Sequence, residues 1–121
     1  MPSGPIAVKP PPDLVGEEKL WFAVQKHLRA QGTWSNTDAP LLESYVRSVL
    51  LARLARAAAG SEPFITGSRG QPVAHPGLKM ARDAEADAHR YAGALLLTPE
   101  ARKRHELAPD SDRDSLEQLL A

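Results

Sequence analysis

The chain of 121 residues contains no cysteine, which excludes disulfide frameworks and thiolate metal sites and fits a reducing compartment. Aromatic residues are scarce, with two Trp, two Tyr and two Phe, so any core must be built from Leu, Val and Ala. Net charge is also lacking: 15 basic and 15 acidic residues cancel, which by itself argues against a strongly basic nucleic-acid binder. No apolar run approaches the ~18 residues of a membrane span. Met1-Pro2-Ser3-Gly4-Pro5 has neither the charged start nor the apolar stretch of a signal peptide, so the expected location is the cytoplasm, without a membrane partner.

What is present is unevenly distributed. Residues 1–12 hold five of the eleven prolines and show no period, reading as a flexible Pro-rich arm. Residues 108–121 carry Asp110, Asp112, Asp114 and Glu117 against Arg113 alone, an acidic tail. Setting that tail aside removes one basic and four acidic residues, leaving 14 basic and 11 acidic in a body of charge +3. The body, 13–107, is expected to form one helical domain.

Asp13 or Gly16 can start a first helix, in which Leu20, Trp21, Val24 and Leu28 recur at helical spacing until Gly32 stops it. Ser35-Asn36-Thr37-Asp38 is rich in capping side chains and announces a second helix running to Ala59, with Pro40 tolerable in its first turn. This helix is apolar on so wide a front that it needs more than one covering surface. Val49, Leu50, Leu51, Leu54 and Ala57 are the expected interface with further copies of the chain. Phe64-Ile65-Thr66 and Pro72-Val73-Ala74 flank Gly67-Ser68-Arg69-Gly70, a pattern for a short β-hairpin. A third helix from Pro76 or Gly77 carries a narrow alanine stripe, which predicts close helix approach. Thr98-Pro99-Glu100 opens a short fourth helix, to about Leu107, by cap, fixed φ and acidic N-terminus. After Pro109, Leu116, Leu119 and Leu120 form an amphipathic set suited to a partner protein.

Catalysis finds little support. His27, His75, His89 and His105 are scattered, without a His-Glu-x-x-His pair or a Cys to complete a zinc set. The His75 ring is expected to bond a backbone carbonyl. Gly67-x-x-Gly70 lacks the Gly-Lys-Ser/Thr of a nucleotide loop, and Asp83, Glu85 and Asp87 read as a solvated helix face. No catalytic residue, metal or cofactor is expected, and the chain is not expected to be an enzyme. Binding fits better. Arg102-Lys103-Arg104 near a helix start suits phosphate oxygens, and Arg69, Lys79 and Arg82 extend that surface. Lys26, Arg29, Arg47, Arg53 and Arg56 are a competing cationic set, of which Arg53 and Arg56 suit pairing with acids across a subunit interface. Trp21 is expected in the core and Trp34 as a staple-like contact before the second cap.

The order of these pieces, Leu20-Trp21, the Asp38-led helix with Tyr45, the Gly67/Gly70 to His75-Pro76 segment and the closing Leu97-Thr98-Pro99-Glu100-Ala101-Arg102, resembles the phage terminase small subunit. The resemblance runs from Pro11-Pro12-Asp13-Leu14 to about Leu107. It departs in two respects: such families usually have Gly-Leu before Thr-Pro, where this chain has Leu96-Leu97, and the charge on the chain as a whole is low. The likeness implies a mainly α fold of about four helices, with the hairpin between the second and third, assembling into a ring. It further implies a non-catalytic protein of the host cytoplasm that recognises the packaging-initiation site, cos or pac, on concatemeric double-stranded viral DNA. Such a protein recruits and regulates the large terminase subunit, which carries the ATPase and nuclease. The alternative is a helix-turn-helix DNA-binding regulator or antitoxin, suggested by the Gly32 turn between two helices.

Overall fold

A computed structural model of the chain describes residues 8–104. It contains α1 (Glu18–Gln31), a single 3₁₀ turn (Asn36–Asp38), α2 (Ala39–Ala59), β1 (Phe64–Thr66), β2 (Pro72–Ala74), α3 (Pro76–Ala94) and α4 (Pro99–Arg104). The mainly helical class and the hairpin between the second and third helices agree with the sequence reading. The remainder of the expected fourth helix, His105 and the tail with Leu116, Leu119 and Leu120 lie outside the described residues, as do residues 1–7 of the arm.

α1 begins later than Asp13 or Gly16 suggests, because Leu14, Val15 and Gly16 are spent in turns that drop Leu14 into the core, fully buried. Its end is as expected. Gly32 at φ 83° takes the left-handed conformation, so its own N–H reaches the Arg29 carbonyl and the Thr33 N–H the Leu28 carbonyl. Ser35 and Asp38 then cap reciprocally: the Ser35 hydroxyl accepts from the Thr37 N–H, and the Asp38 carboxylate accepts from the Ser35 N–H. Pro40 falls in the first turn of α2, where no intrahelical donor is missed.

α2 is the central element, covered on two sides. Near its start Leu42, Tyr45 and Val46 are buried in one cluster with Leu14, Leu20, Trp21, Val24, Leu28, Trp34, Leu95 and Leu97. Burial pushes the Tyr45 phenol up to about 12. Further along, Ala52, Ala55 and Ala59 are buried on α2 while Gly77, Ala81 and Ala84 are buried on α3. The two helices run antiparallel, since Gly77 at the start of α3 meets Ala55 late in α2, whereas Tyr91 and Leu95 join the cluster around Leu42. The close approach expected of an alanine stripe is realised here. A Cβ placed on Gly77 would stand 2.8 Å from the Ala55 carbonyl oxygen, so only glycine fits. Tyr91 and Ala92 are half-buried, and α3 packs within its own chain.

The segment before α1 is tied down more firmly than a free arm would be. The Trp21 indole N–H and the Gln25 side-chain amide both donate to the Val8 carbonyl, at 2.8 and 3.2 Å, and the Gln25 amide oxygen accepts from the Val8 N–H at 2.9 Å. Gln25 is 1% exposed, and its two bonds to one backbone unit explain how a polar side chain sits in that position.

α3 ends with the same hydrogen-bond pattern as α1, but without glycine. Leu96 occupies the left-handed position at φ 62°, its N–H bonding the Gly93 carbonyl and the Leu97 N–H the Ala92 carbonyl. A leucine in that conformation carries a cost of about 1 kcal/mol. Leu96→Gly is therefore expected to be neutral or to stabilise the fold by up to about 1 kcal/mol. Leu95→Gly next to it, emptying a site 5% exposed, is expected to cost at least about 2 kcal/mol. Urea unfolding midpoints moving in the same direction for both variants would refute this account of Leu96.

Candidate nucleic-acid interface

The Thr98 hydroxyl accepts from the Ala101 N–H at 3.1 Å and so caps α4 as its sequence implies. That short helix then divides the expected cationic triplet. Arg102 is 6% exposed and its guanidinium donates to the Leu97 carbonyl at 2.8 Å, stitching α4 to the turn before it. It faces the interior, so the structure removes it from a phosphate-facing surface. The periodicity explains the correction: Arg102 follows Ala101, which is fully buried, and both fall on the packed side of α4. Lys103 and Arg104 are exposed.

Lys79, Arg82 and Arg104 fall into two hollows. One, of about 590 Å³, lies between the hairpin and α3 and brings Arg56, Lys79 and Arg82 around Phe64, His75 and Leu78. The second, of about 450 Å³, lies where α3 meets α4 and brings Arg104 beside His89 and Arg90. Arg82 and His89 are seven residues apart, two turns or about 10.5 Å of rise on the same face of α3, so one helix face links the two hollows. Arg69 stands at the exposed tip of the hairpin turn, its backbone N–H held by the Gln71 side chain.

Ion pairs separate occupied from available charge. Lys79 pairs with Asp83 at 3.1 Å, Arg56 with Glu85 at 2.6 Å and Arg90 with Asp87 at 3.0 Å. Arg47 bonds Asp13 and Glu43, and Arg53 holds both oxygens of Glu17 at 2.8 Å. Arg53 and Arg56 thus take their acids from their own chain, which corrects the expectation of partners across a subunit interface. Among the described residues no ion pair engages Lys26, Arg29, Arg69, Arg82, Lys103 or Arg104. The Arg56 guanidinium holds the Glu85 carboxyl below the usual carboxylate range, and Arg47 does the same for Asp13. Both links are present above that usual range and are lost as pH falls through the lowered values. They are solvent-exposed and add little to stability.

His75 differs from its expected role. Its Nδ1 accepts from the Gly77 N–H at 2.9 Å, so the ring caps α3 instead of donating to a carbonyl. The His75 backbone N–H donates to the Pro63 carbonyl at 2.6 Å and closes the foot of the hairpin. Trp21 is in the core at 1% exposure, and Trp34, 8% exposed, donates its indole N–H to Asn36 in the capping turn. Sequence reasoning missed Glu17, 5% exposed beneath Arg53, and Gln25. Position 25 follows Trp21 by four residues, so a polar residue on the apolar face was the available signal.

The nominated self-association residues are also divided. Val49 and Leu50 pack against the chain's own core cluster. Leu51 and Leu54 remain 45% and 59% exposed, and Ala57 is exposed. Phe64, Ile65 and Met80 add apolar surface on the hairpin and α3. Among the described residues no three His, Asp or Glu side chains converge as metal ligands, and no helix is long and apolar enough to cross a membrane.

The family described as phage terminase, small subunit, matches residues 18–112, most of the chain. The chain belongs to the phage terminase small subunit family. Membership assigns it to phage genome packaging, in which the small subunit is generally the non-catalytic one. No curated protein and no solved structure matches this chain. The match begins at Glu18, the first residue of α1, and takes in every helix of the described residues and the hairpin.

Proposed function

We propose that the chain is the DNA-recognising, non-catalytic component of a packaging motor: it binds the cos or pac initiation site on concatemeric double-stranded viral DNA and recruits and regulates the large terminase ATPase/nuclease. The family match over residues 18–112 carries this reading. Support from geometry comes from four exposed cations that no ion pair engages among the described residues: Arg69 on the hairpin, Arg82 on α3, and Lys103 and Arg104 on α4. Lys79 adds to the groove but shares its charge with Asp83. Copies of the chain assembled through Leu51 and Leu54 into a ring would repeat this weak patch along one duplex, so modest charge per subunit suffices. Leu116, Leu119 and Leu120 are the segment offered to the large subunit.

The competing reading as a helix-turn-helix regulator needs a second helix free to enter a major groove. α2 is instead flanked by α1 and α3, and the side it leaves open presents Leu51 and Leu54.

Salt dependence tests the phosphate-facing cations. The quadruple variant Arg69→Gln, Arg82→Gln, Lys103→Gln, Arg104→Gln is expected to lower the slope of log affinity against log salt by up to about 3.6 per subunit, roughly 0.9 for each phosphate no longer neutralised. Lys26→Gln with Arg29→Gln on α1 is expected to leave it unchanged. The reverse outcome moves the DNA-facing surface to α1.

A further inference from the structure

The groove between the hairpin and α3 has an apolar floor and a cationic rim, and the chain carries a segment of opposite chemistry. We propose that the acidic, leucine-bearing segment 108–121 docks in this groove of its own chain and competes there with DNA phosphate. The competition rests on the reading of Arg82 as a phosphate contact; the docking does not.

Phe64, 64% exposed, and the half-buried Leu78 supply apolar surface that the chain's core does not use. Arg56, Lys79 and Arg82 surround it; Arg56 is paired with Glu85 and Lys79 with Asp83, so the charge open to a further acid is that of Arg82, which has no ion pair among the described residues. On the other side, Asp110, Asp112, Asp114 and Glu117 outnumber Arg113, and Leu116, Leu119 and Leu120 recur at i, i+3 and i+4. That spacing places three leucines on one side of a helical turn, with Glu117 and the aspartates available to the rim.

Reach is sufficient. α4 follows the C-terminal end of α3, and the groove is at its N-terminal end, a separation set by 19 residues of helix, about 28 Å. The twelve residues from Arg104 to Leu116 span up to about 40 Å. A tethered segment within reach acts at an effective concentration of order millimolar, so even weak charge and leucine interactions populate the docked state. Phosphate and the tail carboxylates are then alternatives on Arg82. A partner that takes up the three leucines withdraws the tail and frees the groove for DNA.

The full-length chain permits a direct test because it has no cysteine, so Ser115→Cys accepts a single nitroxide label. Paramagnetic broadening is expected at the backbone amides of Phe64, Leu78 and Arg82 at low salt. It should disappear with Asp110→Asn, Asp112→Asn, Asp114→Asn, Glu117→Gln combined, and separately with Arg82→Glu. In a mixture of spin-labelled chain and isotope-enriched unlabelled chain, no broadening is expected. Broadening in that mixture assigns the groove to a neighbouring copy's tail and overturns docking within one chain. So does an absence of broadening in the full-length chain, or broadening centred on Phe22, Lys26 and Arg29. The four-fold neutralised tail is also expected to raise affinity for a random-sequence duplex several-fold at low salt. Broadening together with unchanged affinity retains the docking and overturns Arg82 as a phosphate contact, so the two failures read differently.

Discussion

Trp21→Ala is expected to cost this chain about 4 kcal/mol, within the range for emptying a buried aromatic site and a large share of a small domain's stability. Trp21 is 1% exposed at the centre of the cluster that joins α1, the start of α2 and the end of α3. The cluster holds one other indole, Trp34, whose N–H is tied to Asn36 in the capping turn, and packing this dense leaves a void where Trp21 stood. The substitution also deletes the indole donor to the Val8 carbonyl, leaving Gln25 alone to hold that segment. Thermal unfolding followed by circular dichroism measures the effect. Trp21→Phe keeps most of the bulk and should cost far less, so equal losses for both variants would mean that the hydrogen bond, and not the cavity, dominates.

Leu51→Glu combined with Leu54→Glu is expected to abolish self-association while leaving helix content unchanged. The sequence of α2 is apolar around most of its circumference, and the fold explains how far one chain can satisfy it. α1 and the core cluster take Leu42, Tyr45 and Val46, α3 takes Ala52, Ala55 and Ala59, and Leu51 and Leu54 remain on the side facing water. Assembly through that side would bury two leucines, worth roughly 1.5–3 kcal/mol each per subunit when fully covered. Glutamates in their place would be desolvated without partners, at a cost of several kcal/mol. Light scattering at micromolar concentration distinguishes the outcomes. A parent chain that is already monomeric would end the ring proposal. An oligomer that survives both glutamates would relocate the interface to another exposed apolar surface, such as Phe64 and Ile65 on the hairpin.

For the candidate site, the sequence reading treated runs of like side chains as single patches, and packing divides them. Three consecutive cations at 102–104 read as one patch, yet a six-residue helix lying on the body must turn part of its surface inward, and Arg102 is on that part. Arg53 and Arg56 read as donors to another subunit because an apolar helix with embedded arginines suggests an interface. Glu17 and Glu85 come from sequence-distant segments, and only packing brings them within 2.8 and 2.6 Å. His75 reads as a donor to a carbonyl, while the acceptor geometry at the start of α3 is set by the chain reversal at the foot of the hairpin.

Local chemistry alone determined where elements begin and end: Gly32 stops α1, Ser35 and Asp38 start the next helix, Thr98 caps α4, and glycines permit the hairpin turn. These signals act over a few residues through φ preferences and side-chain caps, which is why composition and spacing suffice to read them. The tertiary structure decided which face of each helix is covered, and thereby that Arg102 is internal, that Arg82 and Arg104 are exposed in separate hollows, and that Leu51 and Leu54 are left over. It also placed a leucine, Leu96, in a left-handed turn that local preference disfavours. Burial and long-range pairing depend on contacts between segments far apart in the chain, and no short window of residues contains them.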